Sequence, residues 1–255
     1  MSGATNGARA PGGPLRIERR PDRVVATLDR PEVRNAIDQA TIDALHELCA
    51  ELEAEPRVLI LHGAGGVFAG GADIVQLRER RATDARAGIN TTAFLRVRAL
   101  PMPVIAAVEG FALGGGAELA YAADIRIGTP DVAIGNPEPA LGIIAAAGAT
   151  WLLPRLVGSG RAAELLLTGR ALTADEALAW GLLSAVHPAA ELLPAAHAIA
   201  DRIARLDPLA VQHTKRALHA PLAEHPAIDL ELQAELFESP EKTRRMTAFL
   251  ERKRS

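Results

Sequence analysis

Several residue types are scarce in this sequence, and each shortage excludes a class of protein. Among 255 residues there is one cysteine, Cys49, which excludes an internal disulfide framework and a cysteine-rich metal site. Aromatic residues make up 3% of the chain, so no base-stacking surface for nucleic acid is indicated. The seven histidines show no ligand-like spacing, and His62 at a strand end is interpreted as structural.

Strong net charge and long apolar runs are also missing. A net charge of −3 and a pI near 6.2 argue against a protein dedicated to binding nucleic acid or a membrane surface. No segment approaches the roughly 18 consecutive apolar residues that cross a bilayer. Residues 1–13 are small, polar and rich in Gly and Pro, so we expect a disordered tail and a cytoplasmic protein.

What the chain does contain is a pattern of strands followed by helices. A hairpin is predicted over residues 15–28, a helix over 39–54 and a buried strand over 57–62. A helix with Thr83 as its N-cap is predicted over 84–100. Further helices are expected over 145–153, 159–167, 173–179, 190–205, 208–218, 226–237 and 240–252.

The stretch Ala107–Ala120 organises the chain, because Gly114, Gly115 and Gly116 lie where a buried strand turns into a helix. Glycines there let a ligand approach bare N–H groups at a helix N-terminus, or let the helix pack tightly on a strand. Glu118 follows on the same helical face as Gly115, so an anion-stabilising amide and a carboxylate would face one pocket. The helix dipole alone also favours a first-turn glutamate.

Three other glycine-rich or proline-rich segments accompany it. The loop Gly63–Phe68 does not match a dinucleotide fingerprint, because Phe68 stands where a small residue is needed. A second glycine-rich turn through Gly70 enters a helix at Asp73, whose simplest role is capping. The proline-stiffened loop Gly135–Gly142 presents one carboxylate, Glu138.

Taken together and in this order, these motifs resemble the crotonase family of enoyl-CoA hydratases and isomerases. The resemblance covers roughly residues 14–255. The matching segments are Arg34-Asn35-Ala36-Ile37, Phe68-Ala69-Gly70-Gly71-Ala72-Asp73-Ile74, Ala107–Leu119, Ala123-Asp124-Ile125-Arg126-Ile127 and Asn136-Pro137-Glu138-Pro139-Ala140-Leu141-Gly142. The resemblance implies an α/β fold, a crotonase-like spiral of ββα units over residues 14–190, and a C-terminal helical trimerisation region over 191–255.

The resemblance also implies the chemistry. The backbone N–H groups of Ala72 and Gly115 would form an oxyanion hole for an acyl-CoA thioester, where an enolate places negative charge. Glu118 and Glu138 would be the acid and base that add water across the double bond. Substrate-binding positions implied by the same motifs are Arg34, Ala36, Ala69, Gly70, Asp73, Ile74, Gly114, Leu141, Gly142 and Lys253.

Coenzyme A carries phosphates, so cations are expected at the pocket mouth. Arg34 and the C-terminal Lys253 are the candidates that the resemblance offers, and a solvated loop arginine or helix-end cation is the alternative for each. Arg78, Arg80 and Arg81 could serve similarly. No metal and no resident cofactor are expected, because coenzyme A enters with the substrate and amide donors stabilise the oxyanion.

Two departures from the family pattern stand out. The family commonly has Pro-Gly-Ala-Gly-Gly where this chain has Ala145-Ala146-Ala147-Gly148-Ala149, which keeps the N–H groups but narrows the acyl pocket. Glu109 stands where many relatives have asparagine, and its effect is not explained by the sequence.

The sequence therefore predicts an enoyl-CoA hydratase that forms 3-hydroxyacyl-CoA and assembles as a homotrimer or a dimer of trimers. An isomerase that relies mainly on one glutamate is the enzymatic alternative. A non-catalytic acyl-CoA-binding protein is the alternative of another class, and the two retained glutamates argue against it.

Overall fold

The computed structural model describes residues 13–252, so residues 1–12 of the predicted tail lie outside the described part of the chain. The strands are β1 Leu15–Arg19, β2 Arg23–Leu28, β3 Val58–Gly63, β4 Val104–Val108, β5 Phe111–Leu113, β6 Ile125–Gly128, β7 Ala133–Gly135, β8 Ala171–Thr173 and β9 Ala185–Val186.

Twelve α-helices are found within the described residues. They are α1 Gln39–Ala54, α2 Ile74–Glu79, α3 Ala82–Ala87, α4 Ile89–Ala99, α5 Gly115–Ala122, α6 Ala149–Val157, α7 Ser159–Thr168, α8 Ala174–Ala179, α9 Ala189–Ala204, α10 Pro208–His219, α11 Ala227–Phe237 and α12 Pro240–Arg252. Three short 3-10 helices lie at Pro31–Val33, Glu138–Leu141 and Leu222–Glu224.

The strands form two sheets. The larger has the order β1-β2-β3-β4-β6-β9, and the smaller has the order β5-β7-β8. Only the β1–β2 hairpin is antiparallel in the larger sheet, and β2, β3, β4, β6 and β9 pair in parallel. Parallel pairing requires crossovers, and the helices between successive strands supply them. The outcome is the predicted alternation of strands and helices, followed by helices alone.

The composition of the central strands explains their position. Every residue of β2 and β4 is buried, and five of the six residues of β3 are buried. Strands covered on both faces need continuous apolar runs, which these sequences provide with Val, Ile, Leu and Ala. Helix α1 adds a buried stripe that includes Leu45, Cys49 and Leu52. Burial raises the pKa of the Cys49 thiol to about 12, so this cysteine is an inert core residue, as expected.

Helix α1 and the β1–β2 hairpin have the predicted bounds, and two other helix predictions are wrong. The predicted helix over 84–100 is two helices, α3 and α4, because Gly88 adopts φ +63° between them. Thr83 is not an N-cap, since α3 begins earlier and the Asp84 carboxylate accepts a hydrogen bond from the Arg81 N–H at 2.7 Å.

The predicted helix over 145–153 begins later than expected. Helix α6 starts at Ala149, because Gly148 immediately before it has φ +145° and residues 146–148 form a turn. Strands β5, β8 and β9 were not predicted. Each has two or three residues, which is too short for a periodic signal.

The chain divides into two compact units, Met1–Ala200 and Asp201–Ser255. Both sheets lie in the first unit. Helices α10, α11 and α12 lie in the second unit. The predicted functional boundary at residue 190 stays a prediction.

Candidate active site

A cavity of about 610 Å³ lies in the first unit, and it brings together four residues predicted from three separate motifs. These are Ala72, Gly115, Glu118 and Glu138. The rest of the lining is mixed in polarity: Leu77, Arg80, Arg81, Ala82, Asp84, Ala85, Gly88, Ile89, Asn90, Thr91, Ile143, Ile144, Ala146 and Ala147. A second cavity of about 440 Å³, within residues 213–236, contains none of the predicted site residues.

Two backbone amides meet at the start of helix α5. A Cβ built on Gly115 would lie 3.6 Å from the Ala72 nitrogen, so the two residues are in direct proximity. Within residues 13–252, neither the Ala72 nor the Gly115 N–H donates to another group of the protein. The Gly115 amide is one of the N-terminal helix amides that lack an intrahelical partner. A pair of unpaired amides facing a cavity is suited to bind an anionic oxygen.

The three consecutive glycines are required for three different reasons. Gly114 has φ +51°, a conformation that side chains disfavour. A Cβ on Gly116 would lie 2.4 Å from the Ala69 carbonyl oxygen, so this glycine allows α5 to pack against the backbone at Ala69. Gly115 opens onto the cavity. The predicted tight packing is therefore confirmed at Gly116, and the approach of a ligand at Gly115 stays a prediction.

Glu118 lies one turn into α5 and is 3% exposed. Its Oε1 accepts hydrogen bonds from the Ala147 N–H at 2.7 Å and the Ala149 N–H at 3.1 Å. The pKa of Glu118 is raised to about 7, because burial and, less strongly, the nearby Glu138 carboxylate raise it more than the Ala149 and Ala147 N–H donors lower it. Glu118 is therefore poised to gain and lose a proton near neutral pH.

Glu138 lies at the start of the 3-10 helix Glu138–Leu141 and is also buried. Its Oε1 lies 3.4 Å from the Asn136 Nδ2, and its Oε2 is buried without a hydrogen-bond partner in the described part of the chain. Burial raises the pKa of Glu138, and the N–H groups at its own backbone and on Asn136 lower it. The unpartnered Oε2 is the atom left to exchange a proton.

The alanine segment that departs from the family pattern keeps its hydrogen-bonding role. The N–H groups of Ala147 and Ala149 are the two donors to Glu118. Thr91 donates to the Ala146 carbonyl oxygen at 3.2 Å, which ties the segment to helix α4. Alanine in place of glycine has therefore preserved the backbone donors, as predicted.

Within residues 13–252, none of the predicted substrate-binding residues lines the cavity. Arg34 is exposed, with φ +55°, and its carbonyl oxygen accepts from the Gly70 N–H at 2.8 Å. A Cβ on Gly70 would lie 3.2 Å from the Arg34 Cβ, so the two predicted positions are adjacent. Ala36 lies two residues beyond Arg34 and accepts at its carbonyl oxygen from the Arg30 guanidinium at 3.0 Å. Their contact with substrate stays a prediction.

Other predicted positions have identifiable structural roles. Asp73 caps helix α2 by accepting from the Gln76 N–H at 3.0 Å, which is the simpler role weighed for it. Ala69 is fully buried and forms a β-bridge with Ala112. Ile74 is 56% exposed at the start of α2.

The end of the proline-stiffened loop differs from expectation in its contacts. Leu141 and Gly142 do not line the cavity, and the next two residues, Ile143 and Ile144, do. Lys253, the last predicted position, lies outside the described residues.

Asn90 on helix α4 is a site residue that sequence reasoning missed. Its Oδ1 accepts from the Arg80 guanidinium at 3.0 Å. Its Nδ2 lies 3.4 Å from where a Cβ on Gly115 would be, so the amide nitrogen faces the oxyanion-binding turn. No local signal marks Asn90, because the contact joins residues that are distant in sequence.

Metal binding and membrane insertion find no support in the described structure. Across residues 13–252, no group of three or more His, Cys, Asp or Glu side chains could hold a metal ion. His62 contacts the Ala107 carbonyl oxygen through Nδ1 at 3.4 Å, consistent with its expected structural role. None of the helices found in that range has the length and apolar character needed to cross a membrane.

The fold and the cavity define a class of protein in which backbone amides and buried carboxyl groups face one acyl-sized pocket. The model of the enoyl-CoA hydratase/isomerase family matches residues 23–255, and the chain belongs to that family. It is 38% identical over 247 residues to the short-chain-enoyl-CoA hydratase of Clostridium acetobutylicum, covering 93% of this chain and 95% of the relative.

Two further comparisons agree. The chain is 36% identical over 248 residues to the crotonyl-CoA hydratase of Syntrophomonas wolfei, covering 94% of this chain and 95% of that protein. The crystal structure of enoyl-CoA hydratase from Bacillus anthracis superposes with a TM-score of 0.88 at 34% identity, covering 94% of this chain and 96% of that one. The predicted crotonase fold is confirmed.

Proposed function

We propose that this protein is an enoyl-CoA hydratase that adds water to a trans-2-enoyl-CoA to give the 3-hydroxyacyl-CoA. The observation that carries the proposal is the meeting of two unpaired amides, at Ala72 and Gly115, with two buried carboxyl groups in one cavity. The activities named for the relatives, short-chain-enoyl-CoA and crotonyl-CoA hydration, support the same reaction.

The reaction follows from this geometry. The thioester oxygen binds between the Ala72 and Gly115 N–H groups, which stabilise the negative charge that develops there as the enolate forms. The water oxygen bonds to Cβ and gives a proton to one carboxylate, and the other carboxyl group gives its proton to Cα. One C–O and one C–H bond form, the double bond is lost, and the two carboxyl groups exchange protonation states.

The electrostatics of the pair suit this exchange. Both carboxyl groups are buried and each has a raised pKa, that of Glu118 reaching about 7. The Glu138 charge raises the pKa of Glu118, which favours a pair that holds one proton in the working state over a fully ionised pair. Hydration needs one acid and one base at neighbouring carbons, and a singly protonated pair supplies both.

Coenzyme A enters as the acyl carrier, and we propose no resident cofactor. Arg34 supports binding of its phosphates, because it is exposed and adjacent to the loop that carries the Ala72 amide. Arg80 and Arg81 line the cavity and offer further positive charge. Lys253 remains the proposed contact from the C-terminus.

The proposed assembly is a homotrimer or a dimer of trimers. Large apolar side chains are exposed in the second unit, including Leu218 at 77%, Leu222 at 86% and Leu230 at 67%. Large apolar side chains that are exposed in a single chain are often covered at subunit interfaces. These residues fall within the predicted trimerisation region.

The decisive experiment follows the absorbance of crotonyl-CoA with purified protein, because hydration removes the conjugated enoyl thioester. Mass spectrometry checks for a gain of one water. The Glu118→Gln and Glu138→Gln variants are expected to lose on the order of 10²-fold or more of the rate while still binding crotonyl-CoA. Glu109→Gln, which changes a glutamate outside the cavity lining, is the matched control and should keep its rate.

Each outcome has a defined meaning. Loss of absorbance that depends on both glutamates, with a gain of one water, supports the hydratase. Conversion of a 3-enoyl thioester to the 2-enoyl isomer without water uptake would instead show the isomerase. Tight binding of crotonyl-CoA without turnover would overturn the proposal in favour of a binding protein.

A further inference from the structure

Behind Glu138 lies a chain of buried polar groups that the proposed reaction does not use directly. The Tyr121 hydroxyl donates to the Asn136 Oδ1 at 3.0 Å. The Asn136 Nδ2 lies 3.4 Å from the Gly114 carbonyl oxygen and 3.4 Å from the Glu138 Oε1. Tyr121 and Asn136 are each 1% exposed, so water does not compete for these contacts.

The contacts fix which way the Asn136 amide points. An amide nitrogen has two N–H groups, and here it meets two acceptors, one carbonyl and one carboxylate. In the flipped orientation the Oδ1 would face the Gly114 carbonyl and the ionised Glu138 carboxylate, neither of which can donate a hydrogen bond to it. The Tyr121 hydroxyl completes the arrangement, because burial raises its pKa and keeps its proton available for donation to Oδ1.

The acceptor at Gly114 belongs to the same peptide unit as the Gly115 N–H. A peptide unit is planar, so the direction of the Gly114 carbonyl determines the direction of the Gly115 N–H on its opposite side. The Gly114 carbonyl also accepts from the Glu118 N–H at 3.0 Å. Asn136 and the first turn of α5 therefore hold the peptide that presents the proposed oxyanion donor.

We propose that Asn136, oriented by Tyr121, is a positioning residue that aligns the Glu138 carboxylate with the oxyanion-donating Gly114–Gly115 peptide. The inference rests on the proposed hydratase function for its catalytic consequence. Asn136 acts through two neighbours and touches no reacting atom. Tyr121 lies one turn beyond Glu118 on α5, so the network also links the helix that carries one carboxyl group to the loop that carries the other.

The test is a double-mutant cycle measured on crotonyl-CoA. Tyr121→Phe removes one oxygen and keeps the ring, so it preserves the core, and we expect kcat to fall about 5-fold because one hydrogen bond is lost. Asn136→Leu removes the hydrogen bonds from Asn136 to Gly114 and Glu138 and the one from Tyr121. Because the Gly114–Gly115 peptide and the Glu138 carboxylate are then misplaced, kcat should fall on the order of 10²-fold with little change in KM. If Tyr121 acts through Asn136, the double variant is no slower than Asn136→Leu alone.

The pH profile separates positioning from a general loss of stability. Asn136 donates to the Glu138 carboxylate, so losing the donor disfavours the ionised form and moves the kcat profile to higher pH. Other charged or titratable groups around Glu138 are Glu118 and Tyr121 on α5, Asp84 on α3, and Arg80 and Arg81 between α2 and α3. Neither single variant changes any of these groups, except that Tyr121→Phe replaces Tyr121 itself.

A readout without turnover tests the peptide directly. Cinnamoyl-CoA absorbs at longer wavelength when its thioester carbonyl is polarised, and we expect a smaller shift on binding to Asn136→Leu than to the native protein. This measurement does not require hydration of crotonyl-CoA, so failure of the positioning inference can be distinguished from failure of the proposed function. Additive effects in the cycle, or an unmoved pH profile and absorption shift in both variants, would overturn the inference.

Discussion

At the scale of single residues, the site depends on burying ionisable groups with few partners. Glu118 is nearly inaccessible to solvent yet has two N–H donors on one oxygen, whereas the Glu138 Oε2 has none within residues 13–252. A buried carboxyl group favours its neutral form unless donors compensate. Reactivity at this site therefore has a cost in stability that should be measurable.

Replacing Glu118 by Gln should change how stability depends on pH. The folded-state pKa of about 7 lies above the ordinary value of 4.5, so between these pH values the folded protein binds more protons than the unfolded chain. Native stability then falls as pH rises from 4.5 to about 7, by about 3 kcal/mol in all, and Glu118→Gln removes that fall. Denaturant unfolding at pH 5 and pH 8 measures the difference.

The exposed Glu47→Gln variant is the control for the substitution itself. If the native protein and Glu118→Gln lose the same free energy of unfolding between the two pH values, then Glu118 does not titrate in this range in the folded state.

Asn90 should govern the polarity of the acyl pocket. Its amide nitrogen faces the turn at Gly115, and Arg80 fixes its oxygen. Asn90→Leu makes this wall apolar, so we expect kcat/KM for hexenoyl-CoA to rise by about 3-fold to 10-fold relative to that for crotonyl-CoA. The ratio of the two kcat/KM values is the measurement, and Thr92→Val, an exposed position on the same helix, is the control. An unchanged ratio would mean that Asn90 does not contact the acyl chain.

Residue identities were predictable from sequence only where a motif surrounds them. Glu118 follows the glycine-rich turn into α5 and Glu138 lies in the proline-rich loop, and the structure brings both to one cavity. Asn90 and Tyr121 lie outside these motifs, and Asn136 shares the loop of Glu138 but has no sequence feature that indicates its contacts. Their roles arise from contacts across 10 to 22 positions in sequence, which only the folded chain reveals.

At the scale of elements, helix α5 is fully buried and packs closely against the backbone at Ala69. All eight of its residues are buried, and a Cβ on Gly116 would lie 2.4 Å from the Ala69 oxygen and 2.7 Å from the Ala69 Cβ. The Ala69 carbonyl oxygen also accepts a hydrogen bond from the Leu113 N–H at 3.0 Å, which keeps the Ala69 backbone from moving away from Gly116.

Gly116→Ala should therefore destabilise the fold by about 2 kcal/mol or more, because the methyl group meets backbone atoms and not a flexible side chain. Gly160→Ala is the matched comparison: Gly160 lies in α7 and a Cβ there meets nothing within 4 Å. Alanine at Gly160 should stabilise by up to about 1 kcal/mol through helix propensity. Thermal unfolding measures the melting temperatures of the two variants, and that of Gly116→Ala should be the lower. Equal melting temperatures would contradict the packing argument.

Element prediction succeeded where one segment determines its own structure. Helix α1 has a clear apolar stripe and an Asp38 N-cap that accepts from the Thr41 N–H at 2.9 Å, and its predicted bounds are correct. The turn over residues 146–148 could not be predicted in this way. Alanines there favour a helix, and hydrogen bonds to Glu118, 29 and 31 positions away, are made instead by Ala147 and Ala149.

At the scale of the whole molecule, the family and its fold follow from the order of several motifs, and the assembly does not. Exposed leucines in α10 and α11 support the proposed trimer, because an isolated chain would leave Leu218 and Leu230 in water. Subunit contacts of this kind have no local sequence signature beyond apolar residues at exposed positions.

The double substitution Leu218→Glu and Leu222→Glu should shift the protein from trimer or hexamer to monomer, since buried unpaired charges oppose association. Sedimentation velocity gives the mass of the species in solution. Leu167→Glu, at an equally exposed leucine of the first unit, is the control and should leave the assembly intact. A monomeric native protein, or dissociation by Leu167→Glu alone, would contradict the proposed interface.

The ionisation of the buried Glu118 carboxyl group can be observed in the intact protein through the two backbone amides that donate to it. The Ala147 and Ala149 N–H groups donate to the same carboxyl oxygen at 2.7 and 3.1 Å. A hydrogen bond to a carboxylate is stronger than one to a neutral carboxyl group, so both amide proton resonances should move downfield together as the pH rises through about 7. Nuclear magnetic resonance would thus report the charge of this one side chain in the resting protein, without substrate.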